Sequence, residues 1–184
     1  MAVEKNIDVL IRALALFKRD VPDAMLALAG HGSERVRLER LARELDVAHR
    51  VKFLGTLDKT ALADAYRAAD VFAIASTSET QSMVLLQAMS SGLPAVAARW
   101  RALTEYLPSD AGFLAEPGKP EDFAVKLASI LRQPDLKESM GARAARICER
   151  YSVANVVRTW EEIYASTLLA FASPRSGNAT QLAN

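Results

Sequence analysis

The sequence predicts a doubly wound α/β fold, a parallel sheet with helices on both faces, and three observations carry that prediction. Strand-sized apolar runs alternate along the chain with stretches whose apolar residues recur at helical spacing. The connections between them are short and built largely from glycine, serine and aspartate. No run reaches the roughly 18 apolar residues that a membrane-spanning helix needs, so the apolar runs are core strands.

Taken in order, Ile7, Leu10, Ile11, Leu14 and Phe17 fall on one helical face, so the chain enters a helix almost at once. Residues 25–29 then read as a short buried strand. Behind the Gly30-His31-Gly32 break, Ser33 is placed to cap a helix whose apolar stripe is Val36, Leu38, Leu41 and Leu45. A strand at 51–54, closed by Gly55, leads to a helix at 61–68, a strand at 70–75, a helix at 84–91 and a strand at 93–97.

Helices and strands that alternate in this way demand right-handed crossovers and a parallel sheet. That is a Rossmann-like doubly wound half. A short helix at 103–107 and a last strand at 112–115 complete it, and helices at 121–132, 136–150 and 153–171 form a helical C-terminal tail. Residues 1–172 thus read as one domain. Residues 173–184 hold serine, glycine and asparagine with almost no apolar content, and are expected to be disordered.

Composition narrows the function. The 184 residues are 51% hydrophobic, enough for a proper core, and 23 Lys+Arg stand against 22 Asp+Glu, so no global positive field gathers nucleic acid. Aromatic residues at 7% offer few stacking platforms for bases. The lone cysteine, Cys148, cannot form an intrachain disulfide and the start of the chain carries no secretory pattern, which points to the cytoplasm. His31 and His49 lack metal-ligand spacing, Gly30-His31-Gly32 lacks the third glycine of a dinucleotide fingerprint, and no Gly-x-Ser-x-Gly elbow occurs.

In an open parallel sheet, ligands bind at the carboxyl ends of the strands. The most informative segment there runs from Ser76 to Pro94. Its polar, small-residue loop feeds a helix, leaving free backbone N–H groups near Ser82, Met83 and Val84 where phosphate binds well. Glu79 either caps that helix or hydrogen-bonds ligand hydroxyls beside the phosphates. Lys5 is either a solvated surface partner of Glu4 or a cation that neutralises phosphate.

Around Glu79 the chain is similar to the donor-binding, C-terminal domain of retaining glycosyltransferases of the two-domain B-type fold. That family is the large group 1, or family 4, which includes sucrose synthases and bacterial mannosyl- and glucosyltransferases. The family pattern is Glu, seven residues, Glu, then Ala-Met and a small-residue ending; here it reads Glu79, seven residues, Gln87, then Ala88-Met89-Ser90-Ser91-Gly92-Leu93-Pro94. Glu4-Lys5-Asn6-Ile7-Asp8, Gly30-His31-Gly32, Val51-Lys52-Phe53-Leu54-Gly55 and Tyr66-Arg67-Ala68-Ala69-Asp70 match in the family's order, and Ser78-Glu79-Thr80-Gln81 resembles the diacylglycerol glucosyltransferase subgroup.

The resemblance implies transfer of a hexose from a nucleoside diphosphate sugar, UDP-linked by default, to a lipid or saccharide acceptor, without a metal ion or other cofactor. It implies Glu79 and Lys5 as catalytic residues. Lys5 and the amides of Ser82, Met83 and Val84 would hold the diphosphate, and Glu79 the sugar hydroxyls. Thr80 and Gln81 would line the donor, Gln87 would meet the ribose, and Leu54 and Leu57 the base. The expected partner is an N-terminal acceptor-binding domain or a partner chain, with peripheral association at the inner face of the membrane.

Three departures from the family pattern stand out. The Gly-Arg pair and acceptor domain that precede Glu4-Lys5 in the family are absent from these 184 residues, which would leave the sheet without one central strand. Gln87 replaces a glutamate and loses a charge-assisted bond. Ser82 replaces a glycine, its hydroxyl placed to cap the helix or touch phosphate. These departures also fit a truncated fragment or a non-catalytic nucleotide-sugar-binding module that pairs with another chain. A nucleotide-sugar epimerase of the same architecture is the third reading, against which the segment from Glu79 to Pro94 argues.

Overall fold

A computed structural model describes residues 1–172. The predicted tail, 173–184, lies outside the described residues. After a 3-10 turn at Val3–Lys5 the order is α1 (Ile7–Phe17), β1 (Leu26–Ala29), α2 (Arg35–Glu44), β2 (Val51–Gly55), α3 (Lys59–Ala68), β3 (Phe72–Ile74), α4 (Met83–Ser90) and β4 (Ala95–Ala98). Then follow α5 (Ala102–Tyr106), β5 (Gly112–Ala115), α6 (Pro120–Arg132), α7 (Pro134–Cys148) and α8 (Val153–Ala172). The chain divides into two compact units, residues 1–148 and the part from Glu149 onward.

In the first unit every strand pair is parallel, as the alternation of helix and strand requires. The strands form two sheets, β1-β2 and β3-β4-β5, rather than one continuous sheet. The segment Met1–Asn6 bridges their carboxyl ends. The Met1 amino group donates to the His31 carbonyl and Glu34 N–H to the Met1 carbonyl, while Thr77 N–H donates to the Glu4 carbonyl.

The core explains why these residues build these elements. β4 is buried along its whole length, and its run Ala95-Val96-Ala97-Ala98 is small enough for its neighbours to approach closely. Its partner strand supplies Gly112, where a β-carbon would stand 2.1 Å from the Ala95 carbonyl oxygen. α1 buries Leu10, Ile11, Ala13, Leu14 and Phe17 and packs against α6, which contributes Phe123, Leu127 and Ile130. α4 inserts Leu85, Ala88 and Met89 and packs against α7.

Several boundaries move for identifiable reasons. Ser33 does not cap α2, which begins after Glu34 without a side-chain cap, and Val36 of the expected apolar stripe is exposed while Leu38 and Leu41 are buried. β3 is shorter than 70–75 because the Ala75 carbonyl accepts a bond from the Asn6 side chain instead of continuing the ladder. β4 starts after Pro94, which has no N–H to give and serves only as acceptor, from Phe72 N–H at 2.9 Å.

In the second unit, α8 is preceded by a 3-10 turn at Glu149–Tyr151. The Ser152 hydroxyl accepts from Asn155 N–H at 3.3 Å, and the Asn155 amide donates to the Glu149 carbonyl at 2.7 Å, fixing the start of the helix. Trp160 and Tyr164, one turn apart, stack with ring centroids 5.7 Å apart. No helix among the described residues is long and apolar enough to cross a membrane.

Candidate functional site

The loop from β3 to α4 concentrates the buried polarity of the molecule. Among the described residues the buried polar or charged side chains are Ser76 (1% exposed), Glu79 (9%) and Ser82 (0%), all within seven consecutive positions. Burying polar groups is costly unless each has a partner, so such a cluster needs a reason. Ser76 has one: its hydroxyl accepts from Ser78 N–H at 3.3 Å and lies 3.2 Å from the Ser78 hydroxyl.

The start of the chain reinforces this loop. Asn6 adopts the left-handed conformation, φ +48° and ψ +40°, which asparagine tolerates better than most residues. Its side-chain amide donates to the Ala75 carbonyl at 3.2 Å and to the Thr77 hydroxyl at 3.1 Å, with Thr77 N–H returning a 3.1 Å bond to the Glu4 carbonyl. This clip delivers Lys5 to the loop. The Lys5 Nζ stands 2.8 Å from Glu79 Oε1, a pair in which the carboxylate is nearly buried and the ammonium still reaches solvent.

Ser82 stands at the cap position of α4, but its hydroxyl makes no capping bond. That Oγ is buried and has no hydrogen-bond partner. The first intrahelical bond of the turn is from Leu86 N–H to the Ser82 carbonyl, 3.1 Å, so the amides of the first turn have no acceptor within the helix. Tyr66 steadies this end, its hydroxyl donating to the Val84 carbonyl at 3.4 Å, and burial pushes the phenol pKa upward so the group stays a neutral donor.

The expected site residues divide into two groups. Lys5 and Glu79 are brought into contact, and Thr80, Gln81, Ser82, Met83 and Val84 follow as one continuous lip, with Met83 and Val84 exposed. Gln87 lies one turn further along α4, exposed, its side-chain amide free of hydrogen bonds among the described residues. Leu54, exposed, and Leu57, half-buried, stand at the carboxyl end of β2 in the other sheet. There a 2.8 Å contact between His31 Nδ1 and the Thr56 hydroxyl ties the ends of β1 and β2.

Three expectations are corrected by this geometry. Glu79 is not a helix cap, because the turn carrying it is held by Lys5 and the cap position falls three residues later. Ser82 does not cap either. Lys5 pairs with Glu79 and not with its neighbour Glu4, because the Asn6 clip turns the segment toward the loop. Asn6, Ser76, Thr77 and Tyr66 lie in segments that the sequence marks, but it assigns none of them a role of its own. For Asn6 the signal was an asparagine just ahead of an apolar helical period.

The arrangement offers a cation, a carboxylate and the N-terminus of a helix on one edge, which suits an anion joined to a hydroxyl-bearing group. Among the described residues no group of three or more His, Cys, Asp or Glu side chains is gathered as a metal site would need.

Comparison with known proteins identifies the family and the fold. The chain matches the family described as Glycosyl transferases group 1 over residues 1–147. It is 36% identical over 155 residues to the sulfoquinovosyl transferase SQD2 of Arabidopsis thaliana, covering 82% of this chain and 29% of that protein. It is 34% identical over 172 residues to a D-inositol 3-phosphate glycosyltransferase of Corynebacterium kroppenstedtii, covering 89% of this chain and 38% of the relative. In structure it is similar to Anabaena Alr3699/HepE, solved in complex with UDP and glucose, with a TM-score of 0.81 and 26% identity over 90% of this chain and 46% of that one. The chain thus spans less than half the length of each of these three proteins. A family match over most of the chain, on a parallel α/β scaffold of the same architecture, makes this chain a member of the group 1 glycosyltransferases.

Proposed function

We propose that this chain is the donor-binding half of a retaining glycosyltransferase and holds a nucleoside diphosphate sugar, UDP-linked, at the edge formed by Lys5, Glu79 and the start of α4. The observation that carries this reading is the Lys5–Glu79 pair at 2.8 Å beside the unpartnered Ser82 hydroxyl, both next to helix amides that lack acceptors. The UDP and glucose held by the Anabaena protein support a UDP-linked hexose.

In this reading the diphosphate lies over the first turn of α4, against the amides of Ser82 to Val84 and the Lys5 ammonium. Negative charge that develops on the departing phosphate is stabilised by groups already in place. Glu79 accepts hydrogen bonds from hydroxyls of the transferred sugar, Thr80 and Gln81 line its path, Gln87 meets the ribose, and Leu54 and Leu57 flank the base. No metal ion or other cofactor takes part.

The acceptor, a lipid or saccharide in glycolipid or polysaccharide synthesis, is held by an N-terminal domain or a partner chain. The work is done in the cytoplasm, at the inner face of the membrane where the acceptor is a lipid. A second reading follows from Gln87, which stands where the family pattern has a glutamate: a nucleotide-sugar-binding module that holds the donor without transferring sugar and pairs with a partner chain.

Calorimetric titration with UDP, UMP and GDP tests the proposal. It predicts UDP tightest, with UMP at least about tenfold weaker, because a diphosphate reaches both Lys5 and the helix amides. Equal binding of UDP and UMP, or none, would overturn it.

A further inference from the structure

We propose that Trp100 and Arg101, on the turn leaving β4, form a subsite that selects an anionic substituent on the sugar side of the substrate. This rests on the nucleotide-sugar reading above. β4 lies beside β3 with Ala97 opposite Ile74, so the turn after β4 emerges at the same carboxyl edge as the 76–82 loop. α5, which follows the turn, packs against α4. Trp100 and Arg101 therefore stand at the edge that carries Glu79.

The turn is strained in a way its packing does not require. Arg101 has φ +40° and ψ −128°, a conformation that glycine adopts freely and that costs any residue with a β-carbon. The Leu103 N–H to Trp100 carbonyl bond at 3.1 Å closes the turn, and buried Ala102 and Leu103 anchor it. A glycine would satisfy all of these contacts. What the strain retains is the arginine side chain.

That side chain is available to a ligand. Arg101 is exposed, and among the described residues no carboxylate lies within ion-pairing distance of it, whereas its neighbour Arg99 faces Glu116 at 3.6 Å. Its guanidinium lies 5.9 Å from the centroid of the Trp100 ring, and the indole is itself 37% exposed. An indole face suits the C–H surface of a pyranose, and a stacked guanidinium with free donors suits a carboxylate, sulfonate or phosphate attached to it. The charged group can belong to the donor sugar or to the acceptor.

The test compares matched ligands by calorimetry. One arm sets UDP-glucuronate against UDP-glucose; the other adds glucose 6-phosphate or glucose to the UDP-saturated chain. A three- to tenfold preference, roughly, for the charged member is expected in one arm, and the arm that shows it names the source of the anion. In Arg101→Gly the preference falls to about one while the melting temperature rises by about 2–4 °C as strain is released. A structural role alone would move the melting temperature and leave the preference intact. Trp100→Ala weakens both members of the preferred pair. UDP binding without any preference, or a preference that survives Arg101→Gly, overturns this inference alone. Failure to bind UDP overturns it together with the reading on which it rests.

Discussion

Lys5 and Glu79 are 74 residues apart in the chain, yet the ammonium of one sits 2.8 Å from the carboxylate of the other. The carboxylate is nearly buried and the ammonium is about half exposed, so the pair is not an ordinary surface bridge. Removing the cation leaves a carboxylate in a poorly solvated position, a larger loss than the value of the pair itself. Lys5→Ala is therefore expected to cost about 1–2 kcal/mol of stability, discounted for the exposed side of the pair. Adding Glu79→Gln to Lys5→Ala should recover part of that loss. Thermal melts of the two single variants and the double variant check the coupling; simple additivity would contradict it.

On the proposed reading, Gln87 is a position where the donor edge can be strengthened by a single change. It is exposed on α4 and its amide has no hydrogen bond among the described residues, so a carboxylate there displaces nothing. If Gln87 meets the ribose as proposed, Gln87→Glu is expected to tighten UDP binding about fivefold, near 1 kcal/mol, by replacing a neutral bond with a charge-assisted one. Calorimetry on the variant reads this directly, and unchanged or weaker binding would place the ribose elsewhere.

Gly141 of α7 packs tightly against the turn that follows α4. A β-carbon there would lie 2.2 Å from the Gly92 carbonyl oxygen, a backbone atom that cannot swing aside. Alanine ordinarily favours a helix over glycine by about 1 kcal/mol, but here the clash outweighs that gain. Gly141→Ala should lower stability by a net 1–3 kcal/mol or so, measured by denaturant unfolding. A stabilised variant would mean that α7 does not pack on α4 in this way.

The junction of β5 and α6 gives the unit a sensitivity to acid. Burial by itself would raise the Asp122 pKa, but bonds from Lys126 and from Glu116 N–H, with the charges of Lys126 and Arg99, hold it below the usual carboxylate value. The Glu116 N–H bond is 2.8 Å long. With the folded pKa depressed, the stabilising contribution is complete above the unfolded pKa of about 3.9 and fades as pH falls through the folded value. Asp122→Asn should therefore melt below the parent at pH 7 and converge with it below about pH 4. A gap that is constant across that range would contradict the assignment.

What the sequence made legible and what it hid follow from the range of the interactions. Helices and strands were readable because spacings such as Leu10, Ile11, Leu14 and Phe17 are local, and parallel pairing followed from their alternation. The division into two sheets agrees with the expectation that the sheet lacks one central strand, an expectation drawn from the family resemblance, since nothing local to β1 or β3 specifies it. Glu79 and the start of α4 stood out as a polar loop entering a helix. That Lys5 would meet Glu79, and not Glu4 beside it, depends on Asn6 reaching Ala75 and Thr77 across 69 and 71 positions. The unpartnered Ser82 hydroxyl is a matter of burial, which a residue name does not disclose.

The central claim is that Lys5 and the start of α4 hold a diphosphate. Titration of the parent chain and of Lys5→Ala with UDP, each also melted to show that it is folded, tests this most directly. The account predicts binding by the parent and at least about tenfold weaker binding by a folded Lys5→Ala, the loss of one charge-assisted contact. Equal affinity in the two folded proteins would contradict it.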